Sequence, residues 1–104
     1  YGTWVDRDGT ASDLVPGDVA VTELGRWTSA RTGITYPSGW SLRVGSRALA
    51  ITLEPVLLDQ ELDVTASTGE PYWEGEAVAH GSESGSSVTG KAYVELTGYA
   101  GRRR

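Results

Sequence analysis

Short runs of alternating apolar and polar residues, each ended by a turn signal, cover most of this chain and limit what it can fold into. Clear examples are residues 18–24, 40–44 and 49–53. A period of two is the pattern of half-buried β-strands, and no stretch keeps the helical spacing of apolar residues for three turns. The sequence therefore predicts an all-β protein of about seven or eight antiparallel strands in up-and-down order, arranged as a barrel or a sandwich.

Turn signals set the limits of the other predicted elements. Asp8-Gly9 predicts a hairpin turn and Pro16-Gly17 a second turn, while 26–37 is predicted to be a longer loop. The Gly/Ser-rich linker 81–86 is predicted to be the loop of the last hairpin. The remaining predicted strands cover residues 1–5, 10–15, 62–66, 72–80 and 87–99.

The alternation also predicts which side chains form the core. Burying large apolar side chains, at roughly 1.5–3 kcal/mol each, is the main stabilising contribution available to such a sheet. Trp73 is expected to be buried as well. The expected inner-face set is Trp40, Leu42, Val44, Leu49, Ile51, Leu53, Val94 and Leu96.

Composition excludes several classes of protein. The chain has 104 residues, the size of one domain, and contains neither Cys nor Met. Without Cys there is no disulfide scaffold, thiolate zinc site or Cys nucleophile. A net charge of -5, with the only basic run at 102–104, argues against nucleic-acid binding. Since no initiating Met is present, we expect a piece of a longer protein, with one domain at 1–101 and a basic tail at 102–104.

Several short motifs, taken in their order along the chain, resemble the carotenoid 1,2-hydratase (AttH-like) family. Ala30 departs from the family pattern, which has Pro after the Trp-Thr-Ser element. The matching motifs are Gly2-Thr3-Trp4-Val5-Asp6-Arg7-Asp8-Gly9, Trp27-Thr28-Ser29, Thr32-Gly33, Tyr36-Pro37, Trp40-Ser41-Leu42, Asp59-Gln60-Glu61-Leu62, Tyr72-Trp73-Glu74-Gly75, Val88-Thr89-Gly90 and Tyr93-Val94-Glu95-Leu96-Thr97-Gly98-Tyr99.

The resemblance implies a fold, a reaction and partners. Complete members are similar to two successive lipocalin-like barrels, and the family's named reaction adds water to a terminal isoprenoid double bond. This chain would be the C-terminal lipocalin-like barrel, antiparallel and up-and-down, left incomplete because at least one strand precedes Tyr1. The implied partners are the upstream lipocalin-like domain and a hydrophobic, isoprenoid-like small molecule. No cofactor is implied, and we expect the chain alone to be inactive.

Hydration of an isolated double bond needs a proton donor beside an apolar pocket. A carboxylic acid among aromatic side chains suits that task. Glu74, a candidate catalytic residue, directly follows Tyr72 and Trp73. Because neighbouring residues of a strand point to opposite faces, we favour a buried Trp73 with Glu74 outside or bonded to neighbouring backbone.

Asp59 and Glu61, two further candidate catalytic acids, share one face of an extended segment. They point inward if the preceding strand continues in phase. Pro55 favours a slip, because proline cannot donate to a sheet ladder. After the slip Leu58 and Leu62 turn inward and the two acids face solvent, which is the arrangement we predict.

Glu95, the fourth candidate acid, shares a face of the last predicted strand with Tyr93. That face either lines a pocket or forms a hydrogen-bonded outer girdle, and the sequence favours neither. Aromatic faces stabilise cations, so the candidate ligand-binding residues are aromatic. No metal site is predicted, because His80 is the only His. The candidate ligand-binding residues are Trp73, Tyr72, Trp40, Tyr93 and Trp27.

Three functions fit this sequence. In the first, the chain is one wall of an apolar pocket in a hydratase. In the second, it is a non-catalytic lipocalin-like module that either binds an apolar ligand or braces the upstream barrel. In the third, it is part of an envelope-associated protein without a ligand. Fold alone does not separate these. A homo-oligomer formed through an open sheet edge is also expected, since an incomplete barrel leaves backbone groups unpaired.

Overall fold

The computed structural model describes residues 2–64 and 69–101, and these ranges are all-β. The only helices in them are two three-residue 3-10 turns, Pro16–Asp18 and Gly45–Arg47, so no helix there could cross a membrane. The strands are β1 (Gly2–Val5), β2 (Ala11–Leu14), β3 (Val19–Glu23), β4 (Arg26–Thr28), β5 (Thr35–Pro37), β6 (Trp40–Val44), β7 (Leu49–Pro55), β8 (Glu61–Leu62), β9 (Tyr72–Glu83) and β10 (Ser86–Leu96).

The main sheet is a curled antiparallel half-barrel, as expected for an incomplete lipocalin-like barrel. Its strand order is β10-β9-β7-β6-β3, with the short β8 added beside the beginning of β9. This order follows the chain, so the predicted up-and-down arrangement is confirmed for these five strands. The β4–β5 hairpin and the β1–β2 hairpin form separate two-stranded sheets.

Two predicted loops are largely strand. Residues 26–37, predicted to be one loop, form the β4–β5 hairpin, in which the Ser29 amide donates to the Ile34 carbonyl at 2.9 Å. The linker 81–86 also contracts, because β9 and β10 continue until only Ser84 and Gly85 connect them. Both of these residues have positive φ, 48° and 83°, which is the backbone of a two-residue hairpin turn. Long-range pairing outweighed the loop-like composition of both segments.

The core lies at one end of the sheet. Trp40, Val44 and Trp73 are buried as predicted, and Trp73 keeps only 1% of its surface exposed. β5 covers that end by adding Ile34 and Tyr36 to the buried cluster. The other six members of the predicted inner-face set share this face but are only half-buried, and three of them, Leu53, Val94 and Leu96, pack against the buried cluster. These six are Leu42, Leu49, Ile51, Leu53, Val94 and Leu96.

Two of the predicted strands end at other residues than expected. Of the predicted strand 62–66, only Leu62 is paired among the described residues, as the second residue of β8. Residues 65–68 and the tail 102–104 lie outside the described part. The last strand stops at Leu96, and Gly98 has a φ of 83°. This bend turns Tyr99 into the core beside Tyr36, so Tyr99 does not share the face of Tyr93.

Candidate functional site

A buried carboxylate, Glu61, accepts three side-chain hydrogen bonds. Its side chain is 0% exposed. The Ser29 hydroxyl donates to Oε1 at 2.6 Å, while the Thr32 and Tyr36 hydroxyls each donate to Oε2 at 2.7 Å. Short hydrogen bonds of this kind to a charged acceptor are strong. We call Ser29, Thr32, Tyr36 and Glu61 the Glu61 cluster.

Local geometry prepares the donors of the Glu61 cluster. The Ser29 hydroxyl accepts the backbone amides of Arg31 and Thr32 at 3.2 Å each, a typical serine turn that fixes the tip of the β4–β5 hairpin. On the other side, Glu61 pairs with Trp73 in the β8–β9 register and therefore shares its inner face. The hairpin and the sheet thus meet at one carboxylate.

A cation lies at the rim of the cluster. Arg31 Nη2 is 3.5 Å from Glu61 Oε1 and 2.9 Å from Asp59 Oδ1, and both Arg31 and Asp59 have more than half of their side chains exposed. Both oxygens of Glu61 accept hydrogen bonds from within the cluster. Its clearest chemical role is to hold the hairpin on the sheet. No group of three or more metal-binding side chains occurs in 2–64 or 69–101.

The structure shows that the predicted phase slip is wrong. Leu58 and Leu62 are exposed, by 56% and 42%, while Glu61 points inward. After Pro55 the chain leaves the ladder between β7 and β9. The side chain of Gln60 then bonds to the backbone of β9: the Gln60 amide group donates to the Glu76 carbonyl, and the Gln60 side-chain oxygen accepts the Glu76 amide. Glu61 therefore points inward, as it would if β7 had continued in phase, which is the alternative to the slip. Asp59 faces solvent, as predicted.

Three of the five candidate ligand-binding aromatics gather on the inner side. Trp40 and Trp73 meet at a centroid distance of 6.0 Å, and Trp27 stacks on Tyr36 at 6.1 Å. The indole of Trp73 donates to the Leu58 carbonyl at 2.8 Å. These rings close one end of the half-barrel, while Leu42 and Ile51 on the same face are half-buried and Val21 is exposed.

The other two aromatics lie on the outer, convex face with Glu74. Tyr93 is 67% exposed, and its hydroxyl donates to Glu74 Oε2 at 2.6 Å. Hydrogen bonds from Tyr93 and Tyr72 lower the pKa of Glu74 below its ordinary value. The same bond to Glu74 raises the pKa of Tyr93. Glu74 therefore lies on the face opposite to Trp73, as predicted, but binds tyrosine hydroxyls and not backbone.

Glu95 belongs to the same outer face. It pairs directly with Glu74 in the β9–β10 register. Of the two arrangements left open for Tyr93 and Glu95, this is the outer girdle. The four candidate acids are therefore dispersed: Glu74 and Glu95 outside, Asp59 at the rim, and Glu61 alone inside.

The uncovered inner face carries residues that the sequence analysis did not single out. Val21 pairs with Leu42 and is 63% exposed, although both lie on the face that buries Trp40. Glu23 pairs with Trp40, which places an exposed carboxylate beside the aromatic end. The alternation of Val19 and Val21 is the signal that could have placed Glu23 on this face.

Fold and site together define a class: a lipocalin-like half-barrel with aromatic side chains packed at one end. The family model described as AttH-like matches residues 1–99. This chain belongs to the AttH-like family.

A solved structure supports this assignment. The chain is 34% identical to a Nitrosomonas europaea protein assigned as an AttH, with a TM-score of 0.76 over 93% of this chain. The match covers 29% of that protein, so this chain spans less than a third of its relative. No curated protein matches the chain significantly.

Proposed function

We propose that the inner face of the half-barrel is one wall of a binding site for an elongated apolar ligand, isoprenoid-like in chemistry, in an AttH-like protein. The wall consists of branched aliphatic side chains between the aromatic end and the two open edges. Binding sites for small molecules are mostly apolar with few polar groups, which matches this face. The resemblance to carotenoid hydratases supports an isoprenoid over other apolar ligands.

The observation that carries this proposal is the uneven covering of one continuous face. Trp73 and Val21 share it, yet the first is 1% exposed and the second 63%. Leu42 and Ile51 between them are half-buried. Exposed apolar surface of this kind is unfavourable in water and usually marks a surface that is covered in function.

The placement of the acids supports binding over proton transfer by this chain. Glu74 and Glu95 face away from the proposed site, and Asp59 is exposed and ion-paired. A proton donor must lie within hydrogen-bond reach of the reacting carbon. We therefore assign none of these three acids to a hydration step and keep Glu61, Glu23 and Glu83, which the register places on the inner face, as the acids to test.

Paired substitutions on the two faces test the binding proposal. Val21 and Val78 are exposed valines of the same sheet, on the inner and outer face respectively. Val21→Asp should weaken the binding of an acyclic carotenoid by about tenfold or more, because a charge replaces an apolar contact. Quenching of Trp fluorescence by the carotenoid measures this binding. The Val78→Asp variant should bind the carotenoid as tightly as the unchanged chain. Equal effects of both variants, or no binding at all, would contradict the proposal.

Hydration is tested in the longer AttH-like protein. Water addition to an acyclic carotenoid raises its mass by one water, which mass spectrometry detects. Glu74→Gln, Glu95→Gln and Asp59→Asn should each keep full activity. Loss of activity in any of these three, with normal folding, would show that the outer or rim acids take part.

A further inference from the structure

We propose that an exposed apolar ridge between β7 and β8 is the surface by which this chain docks on the remaining part of a longer AttH-like protein. The connection between these strands begins with three consecutive large apolar residues. Runs of three or more exposed apolar residues are unfavourable in water, and proteins keep them mainly where they serve a function. With one leucine of β8 they form a set that we call the Leu57 ridge: Val56, Leu57, Leu58 and Leu62, between 42% and 63% exposed.

Side-chain hydrogen bonds fix the backbone of the Leu57 ridge. The Leu57 carbonyl accepts the side-chain amide of Gln60 at 3.0 Å, and the Leu58 carbonyl accepts the indole N–H of the buried Trp73 at 2.8 Å. The side chains of Leu57 and Leu58 are nevertheless exposed. The backbone is therefore ordered while its apolar side chains lie in solvent. A surface that is already ordered loses little conformational entropy on association, which favours binding.

The Leu57 ridge extends onto the face opposite to the proposed ligand wall. Leu62 pairs with Tyr72 in the β8–β9 register, and Tyr72 shares the outer face of the sheet with Glu74. The wall belongs to the inner face, where Trp73 and Glu61 lie. A ligand held by the wall would leave Leu62 exposed, so the ridge needs an occupant of its own, and its assignment does not depend on the ligand.

The size of a solved relative indicates the occupant. The match covers only 29% of the Nitrosomonas europaea protein, so most of that protein lies outside the matched part. Parts of one chain that pack together usually bury about 600–1,500 Å². An exposed apolar ridge is the kind of surface that such a contact covers. We therefore assign the Leu57 ridge to the remaining part of such a protein.

Charges beside the ridge define the chemistry of the surface that docks on it. Asp59 directly follows Leu58, and the Glu76 carbonyl accepts the Val56 amide at 3.0 Å. Asp59 and Glu76 are both exposed, and Glu76 forms no ion pair among the described residues. We expect the docking surface to be apolar at its centre, with a Lys or Arg at its rim that faces Glu76.

Cysteine labelling tests the proposal, because the chain has no Cys of its own. Leu57→Cys is made in this chain alone and in the longer AttH-like protein, and peptide mass spectrometry follows its reaction with a maleimide. Labelling should be slower in the longer protein by about tenfold or more, since a reagent reaches a covered thiol only through rare opening. Leu24→Cys is the matched control, because Leu24 is 57% exposed and lies outside the ridge. Its thiol should react equally fast in both proteins, and circular dichroism checks that every variant is folded.

A charge substitution gives a second readout. Leu57→Asp should lower the melting temperature of the longer protein by about 3 °C or more, because docking would bury the charge, and should hardly change that of this chain alone. Equally fast labelling of Leu57→Cys in both proteins would overturn the proposal, as would equal effects of Leu57→Asp in both. Protection of the thiol only at high protein concentration would assign the ridge to a second copy. Protection only with phosphatidylglycerol vesicles would assign it to a membrane, and either result also overturns the proposal.

Discussion

At the scale of single residues, one buried carboxylate joins two parts of the fold. Burying a carboxylate is unfavourable unless its oxygens are fully hydrogen-bonded, and Glu61 meets that condition through Ser29, Thr32 and Tyr36. All three donors come from the β4–β5 hairpin or its connecting turn, whereas Glu61 belongs to β8. Glu61 therefore helps to hold the hairpin on the sheet, together with the packing of Ile34 and Tyr36 in the buried cluster.

Glu61→Gln should lower the free energy of unfolding by about 1–3 kcal/mol, since an amide nitrogen replaces one acceptor and leaves a hydroxyl without its partner. Urea unfolding followed by Trp fluorescence measures this, and the buried Trp73 and Trp40 report on the core. Asp59→Asn is the control, because Asp59 is exposed and its ion pair with Arg31 is worth at most about 1 kcal/mol. Equal losses in both variants would show that the Glu61 cluster is not a special contact.

Glu74 makes stability depend on pH. Hydrogen bonds from Tyr93 and Tyr72 lower its pKa from the ordinary 4.5. Because the folded pKa is the lower one, ionised Glu74 adds stability above the unfolded pKa, and this stability is lost as pH falls through the folded pKa. Between about pH 5 and about pH 3 the urea midpoint of Glu74→Gln should fall less steeply than that of the unchanged chain.

Tyr93→Phe provides the matched control for this pH dependence. It removes the first of the two donors to Glu74 while keeping the carboxylate. The slope of this variant should lie between those of the unchanged chain and Glu74→Gln. Parallel slopes for all three proteins would show that the tyrosine hydrogen bonds do not act on stability.

At the scale of elements, the packing of β9 against β7 depends on a residue without a side chain. Gly81 lies opposite Ile51, and a Cβ added there would overlap the Ala50 carbonyl oxygen and come within 2.7 Å of the Ile51 Cα. Both obstacles are backbone, which cannot rotate away. The close approach keeps the two strands joined up to their ends and so supports the two-residue turn at Ser84-Gly85.

Gly81→Ala should therefore destabilise the protein by about 2–4 kcal/mol, since the strands must separate locally to admit the methyl group. Gly90→Ala is the control on the neighbouring strand. Its Cβ would meet only the Ala79 Cβ at 4.0 Å, so the change should be neutral or stabilise by roughly 0.4–1 kcal/mol. Thermal unfolding of both variants compares them, and an equal response would contradict the close approach at Gly81.

At the scale of the whole molecule, the β1–β2 hairpin is held to the rest of the protein through side chains. It shares no backbone ladder with the main sheet. Arg47 holds it by lying 4.8 Å from the centre of the Trp4 ring, by a 3.1 Å hydrogen bond to Ser12, and by a 3.8 Å ion pair with Asp6. A two-stranded hairpin is only marginally stable alone. The stability of this hairpin therefore depends on the contacts that Arg47 makes with it.

Hydrogen exchange should therefore be much faster in 2–14 than in β7 and β9, which have partners on both edges over most of their length. Arg47→Ala should speed exchange in 2–14 further and leave the main sheet unchanged. Mass spectrometry of peptic peptides resolves the two regions. Uniform exchange across the chain, or an effect of Arg47→Ala that spreads into β9, would show that the hairpin is an integral part of the core.

Local pattern was sufficient to predict five strands of the main sheet, β3, β6, β7, β9 and β10, but not β8. The alternation along 40–44 and 49–53 placed Trp40, Val44 and their neighbours on the correct face, because the period of two is a property of the backbone itself. Trp73 and Glu74 were placed on opposite faces for the same reason. Fold class and the inner and outer sides of the sheet therefore follow from residues near one another in sequence.

Only the tertiary structure decided where the acids lie and how the half-barrel is closed. Glu61 is buried because Ser29, Thr32 and Tyr36, between 25 and 32 residues away, supply its hydrogen bonds. Its neighbour Gln60 bonds to the backbone of Glu76 across the sheet. No local pattern carries such partners, since a polar residue is placed by the groups that satisfy it, and those groups meet it only when the chain has folded.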